Sequence, residues 1–219
     1  MDYETEEQQV EALKAWWAEN GRAVITGVVL GAGLIGGWTF WTGYQEKQAV
    51  IASDIYSRTI EALDGGDAAA AASLADELTD DQPGKLYSAY ANMAAARAAV
   101  EAGNLADAMR RLEWVSSHAP QEDVQLIARV RLARVQGASG DAAAGLASLP
   151  GTYPESFTGL VEEARGDLLM MTGDLQAARD AYKTAQASQY VANREGLTMK
   201  LNELALPGDT AGDSAESTS

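Results

Sequence analysis

The chain has no cysteine and a single histidine among its 219 residues. Without cysteine there is no disulfide, no thiol nucleophile, no Cys-based metal site and no lipoprotein anchor, and an uncrosslinked domain suits either side of a membrane. The lone histidine, His118, stands two residues before Pro120. It has no companion for catalysis or ligation, and at an expected helix end its charge suits the dipole, so it reads as a cap or surface residue. No phosphate loop or nucleophile motif is present, since Gly31-Ala32-Gly33 has no strand before it. The acidic runs Asp80-Asp81, Glu122-Asp123 and Glu162-Glu163 are expected at turns and helix starts, where carboxylates complement the dipole, rather than at a metal or acid–base centre. These absences leave no catalytic, cofactor-binding or metal-ligating candidate, and they point away from an enzyme.

Positive charge is scarce as well. Sixteen Lys and Arg stand against 32 Asp and Glu, and the formal net charge of −16 divides into −4 for residues 1–22 and −12 for residues 46–219. Such a chain repels nucleic-acid phosphates and does not lie flat on anionic lipid. Proteins, with basic patches, are the expected partners.

Long hydrophobic runs are also missing, with one exception. Ala23 to Gln45 holds 23 residues without a charge, whereas the next uncharged stretch, Ala142–Pro154, has 13 and contains Gly and Pro. As a helix the first stretch reaches ~35 Å at about 1.5 Å per residue, enough to cross a hydrocarbon core of roughly 30 Å. Trp38, Trp41 and Tyr44 gather at its end, where amphipathic rings favour the membrane–water boundary. A cleaved signal is disfavoured, because six acids against Lys14 and Arg22 make no basic leader and WTFWTGYQEK is no small-residue cleavage site. Six glycines argue against a buried soluble helix. The stretch therefore reads as an uncleaved single span. Gly27 and Gly31, and again Gly33 and Gly37, have the spacing that lets a second membrane helix approach closely. Lys14 and Arg22 before the span balance Lys47 and Arg58 after it, so charge does not orient it.

Residues 1–22 form an acidic head with a short amphipathic helix from about Thr5 to Glu19, in which Val10, Leu13 and Trp17 share a face, stopped by Asn20-Gly21. After the span, nothing from Gln45 to Leu63 breaks a helix. Residues 46–206 are self-similar. Gly66-Asp67, Gly103-Asn104, Gly140-Asp141 and Gly173-Asp174 each separate two Ala-rich stretches, at intervals of 37, 37 and 33 residues. That is the period of helix-pair solenoids. Glycine suits the left-handed position that ends one helix, and Asp or Asn the cap that starts the next. The flanks carry helical stripes such as Leu105, Ala108, Met109, Leu112 and Val115, and Pro83 and Pro120 each follow a glycine by 17 residues, ending the second helix of a pair. Tyr190 to Leu206 reads as a helix capping the stack, and the polar residues 207–219 as a disordered acidic tail. The expected fold is all-α: an N-terminal transmembrane helix at 23–45, then an α-solenoid of about four helix pairs and a C-terminal capping helix.

One polar feature stands out in Gln121–Gln136. Arg131 lies in line with Val124, Ile127, Ala128 and Val135, with Arg134 one turn on. A guanidinium in an apolar stripe requires carboxylates or a partner. The preferred expectation is an internal salt bridge to a neighbouring helix; the alternative is that Arg131 and Arg134 line a groove and hold a bound segment.

The turns resemble the tetratricopeptide repeat. Gly166, Gly173-Asp174, Ala178, Tyr182 and Ala185 match its pattern best, and Ala96, Gly103-Asn104, Ala108, Leu112 and Pro120 match it well. The third repeat departs, because Gly145 replaces the packing alanine and its second helix stops at Leu149-Pro150-Gly151, so a bend or gap is expected there. The head segment QQVEALKAWWAENGR (residues 8–22), the Gly-rich span, RLARVQ at 131–136 and RGDLL at 165–169 together resemble the YfgM family, ancillary subunits of the bacterial SecYEG translocon, from about Tyr3 to Leu206. The resemblance implies a bacterial inner-membrane protein of type II, with a cytoplasmic head and repeats in the periplasm. It also implies association with the SecYEG translocon and the periplasmic chaperone PpiD, and help for exported unfolded chains. The residues themselves support an anchor and a protein-binding solenoid, equally suited to a general envelope scaffold.

Overall fold

The computed structural model describes residues 3–81 and 86–204. The helix end at Pro83 and the tail at 207–219 lie outside them. Among the described residues the chain forms nine α-helices and no strand: α1 (Tyr3–Asp64), α2 (Ala68–Asp81), α3 (Leu86–Glu101), α4 (Leu105–His118), α5 (Glu122–Ala138), α6 (Ala142–Ser148), α7 (Thr158–Thr172), α8 (Leu175–Ala187) and α9 (Arg194–Glu203). A 3₁₀ turn at Glu155–Phe157 leads into α7. The chain divides after Ile51 into two units.

In the first unit, α1 is the one described helix long and apolar enough to cross a membrane, and none of its apolar window is buried. Its threonines are the polar side chains such a span must satisfy internally. Thr26 donates to the Arg22 carbonyl at 2.8 Å, Thr39 to Ile35 at 3.0 Å and Thr42 to Trp38 at 3.0 Å, so each hydroxyl returns to the preceding turn. The helix stop expected at Asn20-Gly21 is not there, because α1 runs through it. Instead of capping, Asn20 donates its side-chain amide to the Trp16 carbonyl one turn back at 3.0 Å. Gly21 makes room for the Trp17 indole, which a Cβ would meet at 3.2 Å. A helical glycine costs about 1 kcal/mol, too little to end a helix whose neighbours all favour it.

In the second unit the four Gly-Asp or Gly-Asn turns share one geometry. Gly66, Gly103, Gly140 and Gly173 have φ of 78, 77, 97 and 83°. The following residue donates its N–H to a carbonyl five positions back: Asp67 to Ala62, Asn104 to Ala99, Asp141 to Gln136 and Asp174 to Leu169, at 2.8 to 3.0 Å. Its side chain then caps the next helix, accepting from the N–H three residues on, at Ala70, Asp107, Ala144 and Ala177. One dipeptide thus closes the carboxyl end of one helix and opens the next. Gly173→Ala forces a side chain into the left-handed region and is expected to cost about 1–2 kcal/mol. Thermal unfolding of the full chain in detergent checks this, with Gly173→Asn keeping most of the loss from appearing.

The core is a chain of small clusters, each shared by consecutive helices. Ala52 and Ile55 of α1 pack with Leu78 of α2 and Ala91 of α3. Ala96, Leu112, Val115 and Ala128 join α3, α4 and α5. Val130, Ala133, Val161 and Leu168 join α5 to α7, and Tyr182, Leu197 and Leu204 join α8 and α9. More than half of the buried apolar residues are alanine, so helices approach closely and the few fully buried leucines carry a large share of the burial.

Three expectations need correction. The third pair is cut short, with α6 only seven residues long, yet Gly145 leaves no gap. A Cβ there would stand 2.6 Å from the Ala133 carbonyl oxygen and 2.7 Å from Leu168 Cδ2. The missing side chain lets α6 press against the α5 backbone, and Leu168 of α7 fills the remaining space. The last helix starts at Arg194, not Tyr190, because Asn193 caps it by accepting from Gly196 N–H at 2.8 Å. Finally, Glu162 and Glu163 stand in the second turn of α7 and are used for pairing. Glu162 accepts from Tyr153 and Arg165, and Glu163 from Lys200.

Candidate functional site

The first helices of successive pairs, α3, α5 and α7, adjoin one another along one side of the stack. On α3, Tyr90, Met93, Arg97 and Val100 follow at three- and four-residue spacing and so share a face. α5 turns Arg131, Arg134 and Val135 toward it. Between them lies a cavity of about 340 Å³ with Leu112 of α4 also in its lining. A second hollow of about 450 Å³ shares Arg97 and Glu101 and continues to Ile60 and Leu63 at the end of α1.

The groove has an apolar floor under a cationic edge. Met93, Val100, Leu112 and Val135 supply the floor, and Arg97, Arg131 and Arg134 the edge, with Glu101 as the acid in the lining. Arg97 donates Nε to Glu101 at 2.8 Å, an exposed pair on one helix, which such exposure makes weak. Arg134 reaches Asp167 only at 3.7 Å, and its Nε is buried without an acceptor. Arg131 has no ion pair or hydrogen bond among the described residues. Burial, then Arg134, then Arg97 push its guanidinium below the ordinary arginine range.

Among the described residues, the internal salt bridge expected of Arg131 is absent. On α7, Asp167 is engaged by Tyr182 Oη at 2.9 Å and Lys200 Nζ at 2.6 Å, and the α5 cation it faces, at 3.7 Å, is Arg134. Burial, followed by Asp167, holds the Tyr182 phenol protonated far above its usual range. Arg131 is exposed overall, at the edge of the apolar stripe, with its guanidinium partly desolvated. A residue of the same kind that does meet the demand for a buried, ion-paired guanidinium is Arg111, 1 % exposed. It donates to Asp107 at 2.7 Å, to Asp76 at 2.9 Å and to Asn92 at 3.1 Å, tying α2, α3 and α4 together. Its signal was present in the sequence, since Arg111 lies in line with Ala108, Leu112 and Val115 as Arg131 does with its own neighbours. Arg97 carried a weaker sign, an arginine at helical spacing between Met93 and Val100.

The other candidates lie elsewhere. Gly27, Gly31, Gly33 and Gly37 all belong to α1, and a Cβ at any of them meets nothing within 4 Å. At roughly 100° per residue, Gly27 and Gly31 point some 120° away from Gly33 and Gly37. The span thus carries two narrow small-residue faces rather than one. Gly66, Gly103, Gly140 and Gly173 are turn residues. His118 stacks on Trp114 with ring centroids 4.9 Å apart, and its Nδ1 lies 2.9 Å from the Trp114 carbonyl. The groove lining holds no hydroxyl, thiol or imidazole. Its cations can donate hydrogen bonds and its floor can take apolar groups, an arrangement suited to binding.

Residues 14–206 match the family model of a tetratricopeptide repeat-like domain. Two curated relatives, each named ancillary SecYEG translocon subunit, align over nearly their whole length. The protein of Escherichia coli K12 is 33% identical over 207 residues, covering 93% of this chain and 98% of the relative. That of Haemophilus influenzae is 29% identical over 199 residues, covering 91% and 97%. No solved structure matches the chain.

Proposed function

The chain belongs to the YfgM family of tetratricopeptide repeat-like proteins, and on that premise we propose that it is a non-enzymatic adaptor of the SecYEG translocon, anchored in the bacterial inner membrane by residues 23–45. In this reading residues 1–22 are cytoplasmic and the repeats of 46–206 are periplasmic, a type II orientation taken from the family resemblance. The repeat groove holds protein partners, the periplasmic chaperone PpiD or chains emerging from the channel, while Gly27 with Gly31 and Gly33 with Gly37 offer contact faces to other membrane helices. The names of the relatives support the translocon, and the apolar stretch of α1 supports the anchor. The observation that carries the binding role is the groove itself, in which Arg131 and the Arg134 Nε have no counter-group over an apolar floor.

Site-specific photocrosslinking from the span at Gly33 and from the groove at Arg131 tests this reading. Crosslinks from Gly33 to channel subunits, and from Arg131 to a periplasmic chaperone or exported chains, are the expected result. Capture from both positions of envelope proteins unrelated to export makes the chain a general scaffold instead.

A further inference from the structure

The groove is an inversion of the surface around it. Residues 46–219 carry a formal charge of −12, which by itself selects basic partners. Yet where α3 and α5 meet, three guanidiniums converge with Glu101 as their only carboxylate in the lining. Arg131 and Arg134 are one turn apart on the same helix, a like-charge pair that disfavours the helix unless an anion joins it. Arg131 has no partner among the described residues, and the Arg134 Nε is a buried donor without an acceptor. Such a donor costs stability until it is met. Beside these cations, Val100 is 40 % exposed and Tyr90 37 % exposed on the same face of α3. A basic segment meets repulsion here, and a purely apolar one leaves Arg131 and the Arg134 Nε unmet.

We propose that this groove takes a partner polypeptide segment in which a carboxylate stands beside a large apolar side chain, the acid held between Arg97, Arg131 and Arg134 and the apolar group on Met93 and Val100. This deepens the adaptor reading and rests on it. The groove then sorts segments by local sequence, against the bias of the body's overall charge. An acidic partner must pass the like-charged surface and gains only at the groove, so binding is local rather than a general attraction of opposite charges.

The experiment uses the full chain in lipid nanodiscs and fluorescence anisotropy with three labelled peptides of one length. One alternates Asp with Phe and Leu, the second replaces Asp by Asn, and the third replaces Asp by Lys. The Asp peptide is expected to bind at least about tenfold more tightly than the Asn peptide, with the Lys peptide weakest, as loss of a charge-assisted hydrogen bond implies. Arg131→Glu with Arg134→Glu is expected to abolish that preference and favour the Lys peptide, with helical content and melting midpoint as the folding control. Arg131→Gln, which keeps the stem, is expected to lose the preference in part. Equal binding of the three peptides, or a preference that survives the double substitution, overturns the ligand class while leaving a protein-binding groove. No binding by any peptide, together with no crosslinks from Arg131, removes the groove from the adaptor reading as well. If the Asp peptide binds only after removal of residues 205–219, the occupant is the chain's own acidic tail and the partner assignment fails.

Discussion

Replacing both Asp76 and Asp107 by Asn is expected to lower the stability of the repeat unit by about 3–5 kcal/mol, because it strands a buried cation. Arg111 is 1 % exposed and its guanidinium is met by these two carboxylates, by Asn92 and by the Ala72 carbonyl. The reverse change is milder. In Arg111→Met a side chain of similar length fills the space, and the carboxylates left behind retain access to water, their side chains being 48 % and 22 % exposed. The asymmetry is the test: the carboxylate double variant should melt roughly 10 °C below the parent, and Arg111→Met much closer to it. Equal losses would mean that lost packing, not the stranded charge, sets the cost. The same network gives a pH dependence. Burial pushes the Asp107 carboxyl up, but the hydrogen bonds and charges of Arg111 and Arg110 outweigh it, so its pKa lies below the ordinary carboxylate value. A depressed folded-state pKa contributes stability that is fully present above the unfolded value near about pH 4 and lost as pH falls below it. Acid unfolding profiles of Arg111→Met should therefore be flatter below about pH 4 than those of the parent.

Leu168→Ala is expected to cost about 3–5 kcal/mol, in the upper part of the range for a buried leucine. Leu168 is fully buried, and its Cδ2 occupies the space left by two glycines, Gly137 of α5 and Gly145 of α6. Neither can swing a side chain into the cavity, so collapse is poor. The two glycines differ in what a methyl group would meet. At Gly137 the obstacles are Leu168 Cδ2 at 2.6 Å and the Met171 sulfur at 3.0 Å, both side chains, whereas at Gly145 the nearest atom is the Ala133 carbonyl oxygen at 2.6 Å. Each Gly→Ala change alone should destabilise by about 1–3 kcal/mol through overpacking. In the Leu168→Ala background, Gly137→Ala should become neutral or favourable, gaining up to about 1 kcal/mol of helix propensity. Gly145→Ala should stay costly, since backbone cannot move aside. A double-mutant cycle read by thermal unfolding measures this, and equal coupling at both glycines would contradict the packing described.

Much of the molecule was legible because its signals are local. The four Gly-Asp or Gly-Asn turns could be read because each is a short-range event, a positive φ followed by a side-chain cap three residues away. The span could be read because length and lack of charge are properties of the chain alone. The errors at Asn20-Gly21 and at Tyr190 were errors of boundary. There, local stop signals competed with a side chain that bonds within the helix, in Asn20, or with a better cap three residues on, in Asn193. The candidate groove was legible only in part. Arg131 and Arg134 show in the sequence as charges that interrupt an apolar stripe, but the same pattern in α4 marks Arg111. Sequence periodicity tells which face a residue occupies, and it does not tell what stands opposite.

The sequence alone therefore determined the class of molecule: one membrane-length apolar helix, a run of helix pairs with a fixed turn and a strongly acidic composition. These follow from composition and spacing, which no packing can change. Only the tertiary structure decided that Arg111 is buried and Arg131 exposed. That choice depends on which acceptors from other helices fall within reach: the Asp76 carboxylate of α2 and the Asn92 amide oxygen of α3 converge on Arg111, while none among the described residues reaches Arg131.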